Sequence, residues 1–219
     1  MQSGIETLET SSIRVSSWDY ELLMQKKLIL DLCGGTGAWS KPYADDPSYE
    51  VVIVDPLGTS KSDVRLFTHQ NLKVHGILAA PPCTHFSGSG ARWWKGKGDE
   101  ALLEGLSVVD ACMRIIKVQE PVWWCLENPV GRLNDYLGKP RMYMHPCDFA
   151  GYSDDPDGDN YTKKTALWGV FKVPRAKAHP QLVAPDKTKI HWASPGPDRW
   201  KIRSVTPQGF ARAFKEANP

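Results

Sequence analysis

Cys83 is the first residue whose type and setting could do chemistry. It follows two prolines at the end of an apolar run, in the stretch LAAPPCTHFSGSG of residues 78–90. Proline fixes φ and has no N–H group, so the bend is stiff and aims the thiol in one direction. A cysteine thiolate is a strong nucleophile, and Gly88 and Gly90 keep the following loop open enough for a flat substrate. At this point a second interpretation is open, in which Cys83 is a small buried hydrophobic residue.

A glycine-rich turn follows an earlier apolar run, in LDLCGGTG of residues 30–37. Glycines in such a turn let the backbone approach a ligand closely. The spacing differs from the G-x-G-x-x-G motif of dinucleotide enzymes, but Asp55 stands at the end of the next apolar run, where a carboxylate can bind ribose hydroxyls. The sequence fits either a cofactor loop or a tight strand-to-helix turn with an exposed Asp55.

Glu127 and Asn128 form the third reactive pair, in CLENP of residues 125–129. Such polar groups are costly at the end of an apolar strand unless they have partners. Glu127 could donate a proton, or accept a hydrogen bond from an amino or ring N–H group. The pair could instead cap the helix that follows.

Four continuously apolar runs are predicted to be the strands that position these residues: 28–32, 49–55, 74–82 and 121–129. Apolar residues at three- and four-residue spacing predict a helix over 99–119, and the chain is expected to close with a helix over 206–217. Continuously apolar strands are typical of a parallel sheet covered on both faces, and ligands bind at the carboxyl ends of such strands. The expected fold is a doubly wound, mostly parallel α/β sheet with a small irregular C-terminal extension.

Composition is consistent with one domain over residues 1–219, at a net charge of +2. From Lys163 to Lys215 there are twelve Lys and Arg residues against two acids, which suits a phosphate-facing surface or a plain solvated face. The five cysteines contain no C-x-x-C pair, so neither a disulfide framework nor a metal site is expected. Without a signal-peptide pattern or a long apolar run, the expectation is a cytoplasmic protein with no membrane contact.

The order of the motifs resembles that of the DNA cytosine-C5 methyltransferases. That family has a Pro-Pro-Cys nucleophile followed by Phe-Ser, then a Glu-Asn pair one strand later, and its opening loop is similar to LDLCGGTG. SVTPQGFARAF, residues 204–214, resembles its closing helix. The resemblance implies S-adenosylmethionine as cofactor and a methyltransferase-type sheet. It assigns these residues to the cofactor: Asp31, Cys33, Gly34, Gly35, Thr36, Gly37, Asp55, Pro56, Asp63, Val64 and Pro81.

The resemblance also implies a reaction on a cytosine flipped out of DNA. Cys83 would add to C6 of the base, Glu127 would protonate or bind its N3 and amino edge, and Asn128 would orient Glu127 or the Cys83 loop. Lys164, in the basic segment TKKTALWG, completes the expected catalytic set. The substrate contacts expected are Pro82, Ser87, Gly88, Arg92, Trp93 and Lys163, with residues 87–98 as a lid over the base.

Four features depart from the family pattern. TKKTALWG is a weak match to its Gln-x-Arg-x-Arg segment, Pro129 stands where valine is usual, and Cys33 stands where phenylalanine is usual. The large recognition domain shrinks to a basic insertion over residues 163–204. Low sequence specificity is therefore expected, in a compact monomer that would suit a phage or mobile element masking its DNA from restriction.

Three alternatives remain at the level of sequence. The same chemistry could act on a pyrimidine nucleotide or on RNA, although RNA enzymes with two catalytic cysteines do not match, because Cys125 lies before its strand end. The chain could be a non-catalytic DNA-binding protein on the same fold, an idea that the intact Cys83 and Glu127 disfavour. A nicotinamide oxidoreductase is disfavoured by the missing G-x-G-x-x-G motif.

Overall fold

The computed structural model describes residues 26–57, 61–68, 72–179, 184–187 and 203–219. Within these residues six strands form one sheet: β1 Lys27–Leu32, β2 Tyr49–Val54, β3 Val74–Ala79, β4 Trp123–Pro129, β5 Met142–Met144 and β6 Thr165–Val170. Their order across the sheet is β2-β1-β3-β4-β6-β5. β1 to β4 pair in parallel, and β6 runs antiparallel between β4 and β5.

Helices cover both faces of this sheet. The α-helices are α1 Lys41–Ala44, α2 Trp94–Gln119, α3 Asn134–Leu137, α4 Pro156–Asp159 and α5 Gln208–Ala217. Short 3-10 turns span Val64–Leu66, Cys83–His85, Gly88–Trp93 and Pro146–Tyr152. The parallel strands with helices on both faces confirm the predicted doubly wound, mostly parallel α/β fold. No helix among the residues so described is long and apolar enough to cross a membrane.

Neighbouring residues of the central strands point into two separate cores. Ile77 of β3 and Leu126 of β4 pack with the apolar side of α2. Leu78 and Cys125, one residue away on each strand, pack with α1 and the aromatic side of α5. This alternation explains why the strands are continuously apolar in sequence, since each face of the sheet is buried under a helix.

Several element boundaries differ from the sequence prediction. β3 ends at Ala79, three residues before the predicted end, and β4 begins at Trp123, two residues after the predicted start. Glu127 and Asn128 lie inside β4 and pair with Leu167 and Ala166 of β6. α2 begins five residues earlier than predicted and kinks at Gly98, where φ is 70°. α5 begins at Gln208, because Pro207 takes the capping position expected of Thr206.

The first residues of the predicted insertion over 163–204 belong to the sheet. Thr165–Val170 is β6, a strand of the sheet interior whose first four residues are buried. The apolar letters TALW are explained by this position between β4 and β5. Residues 180–183 and 188–202 of the predicted insertion lie outside the described residues.

Candidate active site

The carboxyl ends of β3 and β4 bring the Cys83 loop beside Glu127 and Asn128. Pro82 is extended, with φ of −51° and ψ of 125°, and Cys83 then opens a 3-10 turn. The carbonyl of Cys83 accepts hydrogen bonds from the N–H groups of Phe86 and Ser87, at 3.0 and 2.9 Å. The stiff bend predicted from the two prolines thus ends in a closed turn that fixes the direction of the thiol.

The side chain of Asn128 is hydrogen-bonded to this loop. It is almost fully buried, and its Nδ2 donates to the carbonyl oxygen of Pro81 at 2.8 Å. Its Oδ1 is enclosed and has no hydrogen-bond partner among the described residues. Of the two tasks that the sequence allowed for Asn128, the geometry supports orientation of the Cys83 loop.

The segment after Asn128 holds the far side of the same loop. Val130 accepts a hydrogen bond from the N–H of Gly88 at 2.9 Å, and the N–H of Arg132 donates to Phe86 at 3.0 Å. A Cβ on Gly131 would lie 1.8 Å from the Phe86 carbonyl oxygen, so glycine is required for this close approach. The Cys83 loop is therefore fastened to the Glu127 strand at both of its ends.

The side chain of Arg132 also holds the Cys83 loop, a role that the sequence did not predict. Its Nε donates to the carbonyl of His85 at 2.7 Å, and its guanidinium lies 4.6 Å from the ring centre of Trp94. One of its terminal nitrogens, Nη2, is enclosed without a partner among the described residues. The Gly-Arg pair directly after ENPV gives no signal of this role in the sequence alone.

The charged groups around Cys83 act on its pKa in opposite directions. Burial raises the pKa of the thiol and the Glu127 carboxylate raises it further, while Lys163 and Arg203 lower it. Burial also raises the pKa of Glu127, against the opposing charge of Lys163. At neutral pH the free protein therefore holds Cys83 as a thiol, beside a carboxyl group that is easier to protonate than an exposed one.

A small cleft opens beside Glu127, near the carboxyl end of β4. The Oε2 atom of Glu127 is enclosed there and has no hydrogen-bond partner among the described residues. The Nζ of Lys163 donates to the carbonyl of Arg203 at 2.9 Å, which holds the ammonium at the cleft. The lining residues are Glu127, Met144, Pro146, Lys163, Thr165, Ser204, Thr206, Pro207 and Phe210.

Lys164, predicted to be catalytic, takes a different position from Lys163. Its ammonium lies 4.6 Å from the ring centre of Tyr143, on the edge strand β5. It is Lys163, predicted as a substrate contact, whose charge acts on both Cys83 and Glu127. Of the two neighbouring lysines, Lys163 is therefore the one whose charge lies at the candidate site.

The glycine-rich turn after β1 has the backbone that a cofactor loop needs. Cys33, Gly35 and Gly37 have φ of 57°, 52° and 71°, in the left-handed region. A Cβ on Gly34 would meet the Asp31 carboxyl carbon at 2.4 Å, whereas one on Gly35 would meet nothing within 4 Å. Gly34 is thus fixed by the strand below it, and Gly35 faces open space where a ligand can approach.

Two carboxyl groups border this turn. Asp55 accepts hydrogen bonds from the N–H of Gly35 at 3.2 Å and from that of Leu57 at 2.8 Å, so its carboxylate lies against the turn. Asp31 is fully buried and accepts from the hydroxyl of Ser40 at 2.5 Å, and burial raises its pKa to about 7. The neighbouring Cys112 thiol and burial raise the pKa of Cys33, which disfavours its reactive thiolate form.

Asp63 and Val64 do not present free groups beside the turn. Both carboxylate oxygens of Asp63 accept hydrogen bonds from Arg65, and Val64 is buried in the core under α2. Of the other predicted cofactor residues, Thr36 and Pro56 are exposed and Pro81 is buried. The residues of the turn and Asp55 fit a nucleoside-bearing cofactor such as S-adenosylmethionine, with Gly35 on its open side and Asp55 as a ribose acceptor.

The remaining predicted substrate contacts lie along the loop after Cys83. Ser87 bridges to Gly131, and its hydroxyl is 2.9 Å from that of Ser89. The guanidinium of Arg92 lies 5.0 Å from the ring centre of Trp93, and Trp93 is 59% exposed. Trp94, in contrast, is partly buried against Arg132, so the two tryptophans of the predicted lid face different surroundings.

No model of a known protein family matches the chain. No curated protein matches it either. Among solved structures it is similar to a candidate DNA modification methyltransferase encoded within an E. coli prophage, at a TM-score of 0.44 and 14% identity. The match covers 78% of this chain and 56% of that one, so this chain spans little more than half of that protein's length. Because this similarity is distant, the fold is assigned from the order and directions of the strands given above and not from that protein.

Proposed function

We propose that the protein transfers a methyl group from S-adenosylmethionine to C5 of cytosine in DNA. The observation that carries the proposal is the double attachment of the Cys83 loop to the Glu127 strand. Asn128 donates to Pro81 on one side of Cys83, and Arg132 donates to His85 on the other. A nucleophile and a carboxyl group are thereby held in fixed relation, as addition to a ring and protonation of the same ring require.

The chain's own residues would carry out the addition to the base and the activation of its ring. The sulfur of Cys83 forms a bond to C6, and its proton leaves to solvent or to the base. Glu127, whose pKa burial raises, gives a proton or a hydrogen bond to N3 and stabilises the charge that develops on the ring. Lys163 stabilises the anionic forms of both groups. C5 would then be electron-rich enough to take the methyl group from the sulfonium, which would leave as S-adenosylhomocysteine. Water would accept the C5 proton, the electrons of that C–H bond would re-form the C5–C6 double bond, and the C6–S bond would break to release Cys83 as a thiolate.

S-Adenosylmethionine supplies an electrophilic methyl group on a sulfonium ion. The residues that would hold it are the turn of Gly34–Gly37, the buried Asp31 beneath it and the Asp55 carboxylate beside it. Asp55 would accept from the ribose hydroxyls, while the open face of Gly35 admits the ligand. The base must leave a duplex to reach Cys83, since C6 of a stacked cytosine is enclosed.

The test is incubation with labelled S-adenosylmethionine and unmethylated DNA, followed by digestion to nucleosides. We expect label in 5-methyldeoxycytidine with the wild-type protein and none with Cys83→Ser. Label in RNA or in free nucleotide, with none in DNA, would show the same chemistry on another substrate. Absence of label from all three would leave a non-catalytic protein and refute the proposal.

A further inference from the structure

Two cations and an imidazole meet at the backbone of the Cys83 loop. The Nζ of Lys97, in the first turn of α2, donates to the carbonyl oxygen of Thr84 at 3.0 Å. The Nε of Arg132, in the segment after β4, donates to the carbonyl oxygen of His85 at 2.7 Å. The imidazole is that of His85 itself, two residues after the nucleophile. Two charged donors therefore hold the loop at the residue that carries this imidazole and at the residue before it.

The base of the His85 side chain is packed against α2. A Cβ on Gly105 would lie 3.2 Å from the Cβ of His85 and 2.9 Å from the Cζ of Phe86. The Nδ1 atom of His85 is enclosed and has no hydrogen-bond partner among the described residues. A protonated imidazole carries an N–H donor on both of its nitrogens, so protonation would leave one donor enclosed without an acceptor, which is unfavourable.

The charged groups around the imidazole also oppose its protonation. Burial lowers the pKa of His85 below its ordinary value of 6.5, and the charges of Lys97 and Arg132 lower it further. Glu104 of α2 acts in the opposite direction, but its carboxylate already accepts a hydrogen bond from Arg65 at 2.7 Å. At neutral pH the ring is therefore neutral, and a further proton would add a third positive charge at one short segment of the loop.

We infer that His85 is a positioning residue for Cys83: its neutral ring lets the loop be held, and its protonation releases the loop. Between about pH 5 and 7 a histidine changes charge while ammonium and guanidinium groups keep theirs, so the cluster responds to pH through His85. The imidazolium repels Lys97 and Arg132 from the carbonyl oxygens that they hold. The inference rests on the proposed function, because what the loop aligns is the attacking thiol.

Hydrogen exchange measures whether the loop is released. The full chain is exchanged at about pH 7.5 and at about pH 5, and mass spectrometry follows the peptide that contains the N–H groups of Ser87 and Gly88. These groups donate to the carbonyls of Cys83 and Val130, so they exchange slowly only while the loop is held. His85→Gln keeps a neutral polar side chain throughout. It is compared with the wild type at each pH, which cancels the effect of pH on the chemical rate of exchange.

The difference between the two proteins should appear only in acid. At about pH 7.5 we expect the wild type and His85→Gln to exchange this peptide at the same rate. At about pH 5 the wild type should exchange it about tenfold faster, the effect of losing one hydrogen bond to a charged group. Methyl transfer should follow the same pattern, with kcat/KM of the wild type falling in acid relative to that of His85→Gln.

The neighbouring charges give a test of direction that does not depend on His85→Gln. Lys97→Gln removes a charge that lowers the pKa of His85, so release should begin at a higher pH than in the wild type. Glu104→Gln removes the carboxylate that raises this pKa, so release should begin at a lower pH. Because Lys97→Gln also loses the bond to Thr84, its exchange is faster at every pH, and only the midpoint of the change is compared.

His75→Gln is the matched control. His75 lies near the start of β3, at the opposite end of that strand from the Cys83 loop, and its Nε2 is 2.9 Å from the carbonyl oxygen of Pro219. This variant should show the wild-type dependence on pH. The inference would be overturned by a ratio of wild-type to His85→Gln exchange that is the same at both pH values. A midpoint that fails to move in the stated directions in Lys97→Gln and Glu104→Gln would overturn it as well.

The outcomes separate this inference from the proposed function. A loop that is released when His85 is protonated, in a protein that transfers no methyl group, would refute the function and leave the release in place. Methyl transfer by a protein whose loop exchanges independently of His85 would refute only the inference.

Discussion

Gly131→Ala tests whether the Cys83 loop is fastened as the structure indicates. An alanine Cβ there would lie 1.8 Å from the carbonyl oxygen of Phe86 and 2.7 Å from the nitrogen of Gly88. Both obstacles are backbone atoms, so no side-chain rotation can relieve the overlap. The two segments must move apart by more than an ångström.

The cost follows from the hydrogen bonds that such a movement breaks. Two are backbone bonds, from Gly88 to Val130 and from Arg132 to Phe86, at about 1 kcal/mol each. The third joins the charged Arg132 side chain to His85 and contributes about 2 kcal/mol. We therefore expect Gly131→Ala to lower the free energy of unfolding by about 4 kcal/mol.

Urea denaturation followed by tryptophan fluorescence measures this change. Gly90→Ala is the matched control, because it lies in the same loop and a Cβ there would meet nothing within 4 Å. Its free energy of unfolding should stay within about 0.5 kcal/mol of the wild-type value. If the two variants prove equally stable, the Cys83 loop does not lie against Gly131 and the reasoning is refuted.

Three further predictions concern Asp31, Cys83 and Arg132. The pKa of Asp31 rises from 3.8 to about 7 on folding, so the unfolded chain releases this proton at lower pH than the folded protein does. This site should therefore lower the free energy of unfolding by about 1.4 kcal/mol per pH unit between pH 4 and 7. Asp31→Asn should remove that slope in urea titrations at several pH values, and an unchanged slope would contradict the burial argument. Glu127→Gln should lower the pKa of Cys83 and speed alkylation of the thiol by iodoacetamide, whereas Lys163→Gln should slow the alkylation. Peptide mass spectrometry measures the rate. A slower reaction in Glu127→Gln than in Lys163→Gln would contradict these charge effects. Arg132→Ala should lower the free energy of unfolding by about 2–3 kcal/mol, because it removes the hydrogen bond to His85. It should also change the fluorescence of Trp94, which lies against the guanidinium. A fluorescence spectrum identical to that of the wild type would place the guanidinium away from Trp94.

The sequence predicted the strands whose apolar runs are long, and with them the edge of the sheet that carries the site. Asp55 and Cys83 were predicted at the ends of apolar runs. Asp55 directly follows β2, and Cys83 lies four residues after the end of β3. Their positions could be predicted because a parallel sheet brings the carboxyl ends of its strands to one edge.

Elements defined by register could not be predicted in this way. β5 has only three residues and β6 follows two lysines, so neither pattern stands out from a loop. The choice between Lys163 and Lys164 depends on which of two neighbouring residues faces the cleft. That choice is set by the pairing of β6 with β4, and a shift of one residue would exchange them.

Arg132 and Gly131 show a different limit. Their importance comes from contacts between the segment after β4 and the loop after β3, which are more than forty residues apart in sequence. In a sequence, an arginine that follows a glycine does not by itself predict a contact or a function. Only the approach of Gly131 to Phe86 shows why that glycine stands there.

Covalent trapping on 5-fluorocytosine tests the central claim most directly. With fluorine at C5 the final proton loss cannot occur, so the bond between the Cys83 sulfur and C6 should persist after methyl transfer. The account predicts an adduct of the mass of protein, oligonucleotide and one methyl group, mapped to Cys83 and absent from Cys83→Ala. An oligonucleotide that carries the base and is bound by the protein, yet forms no adduct or forms one at another residue, would contradict it.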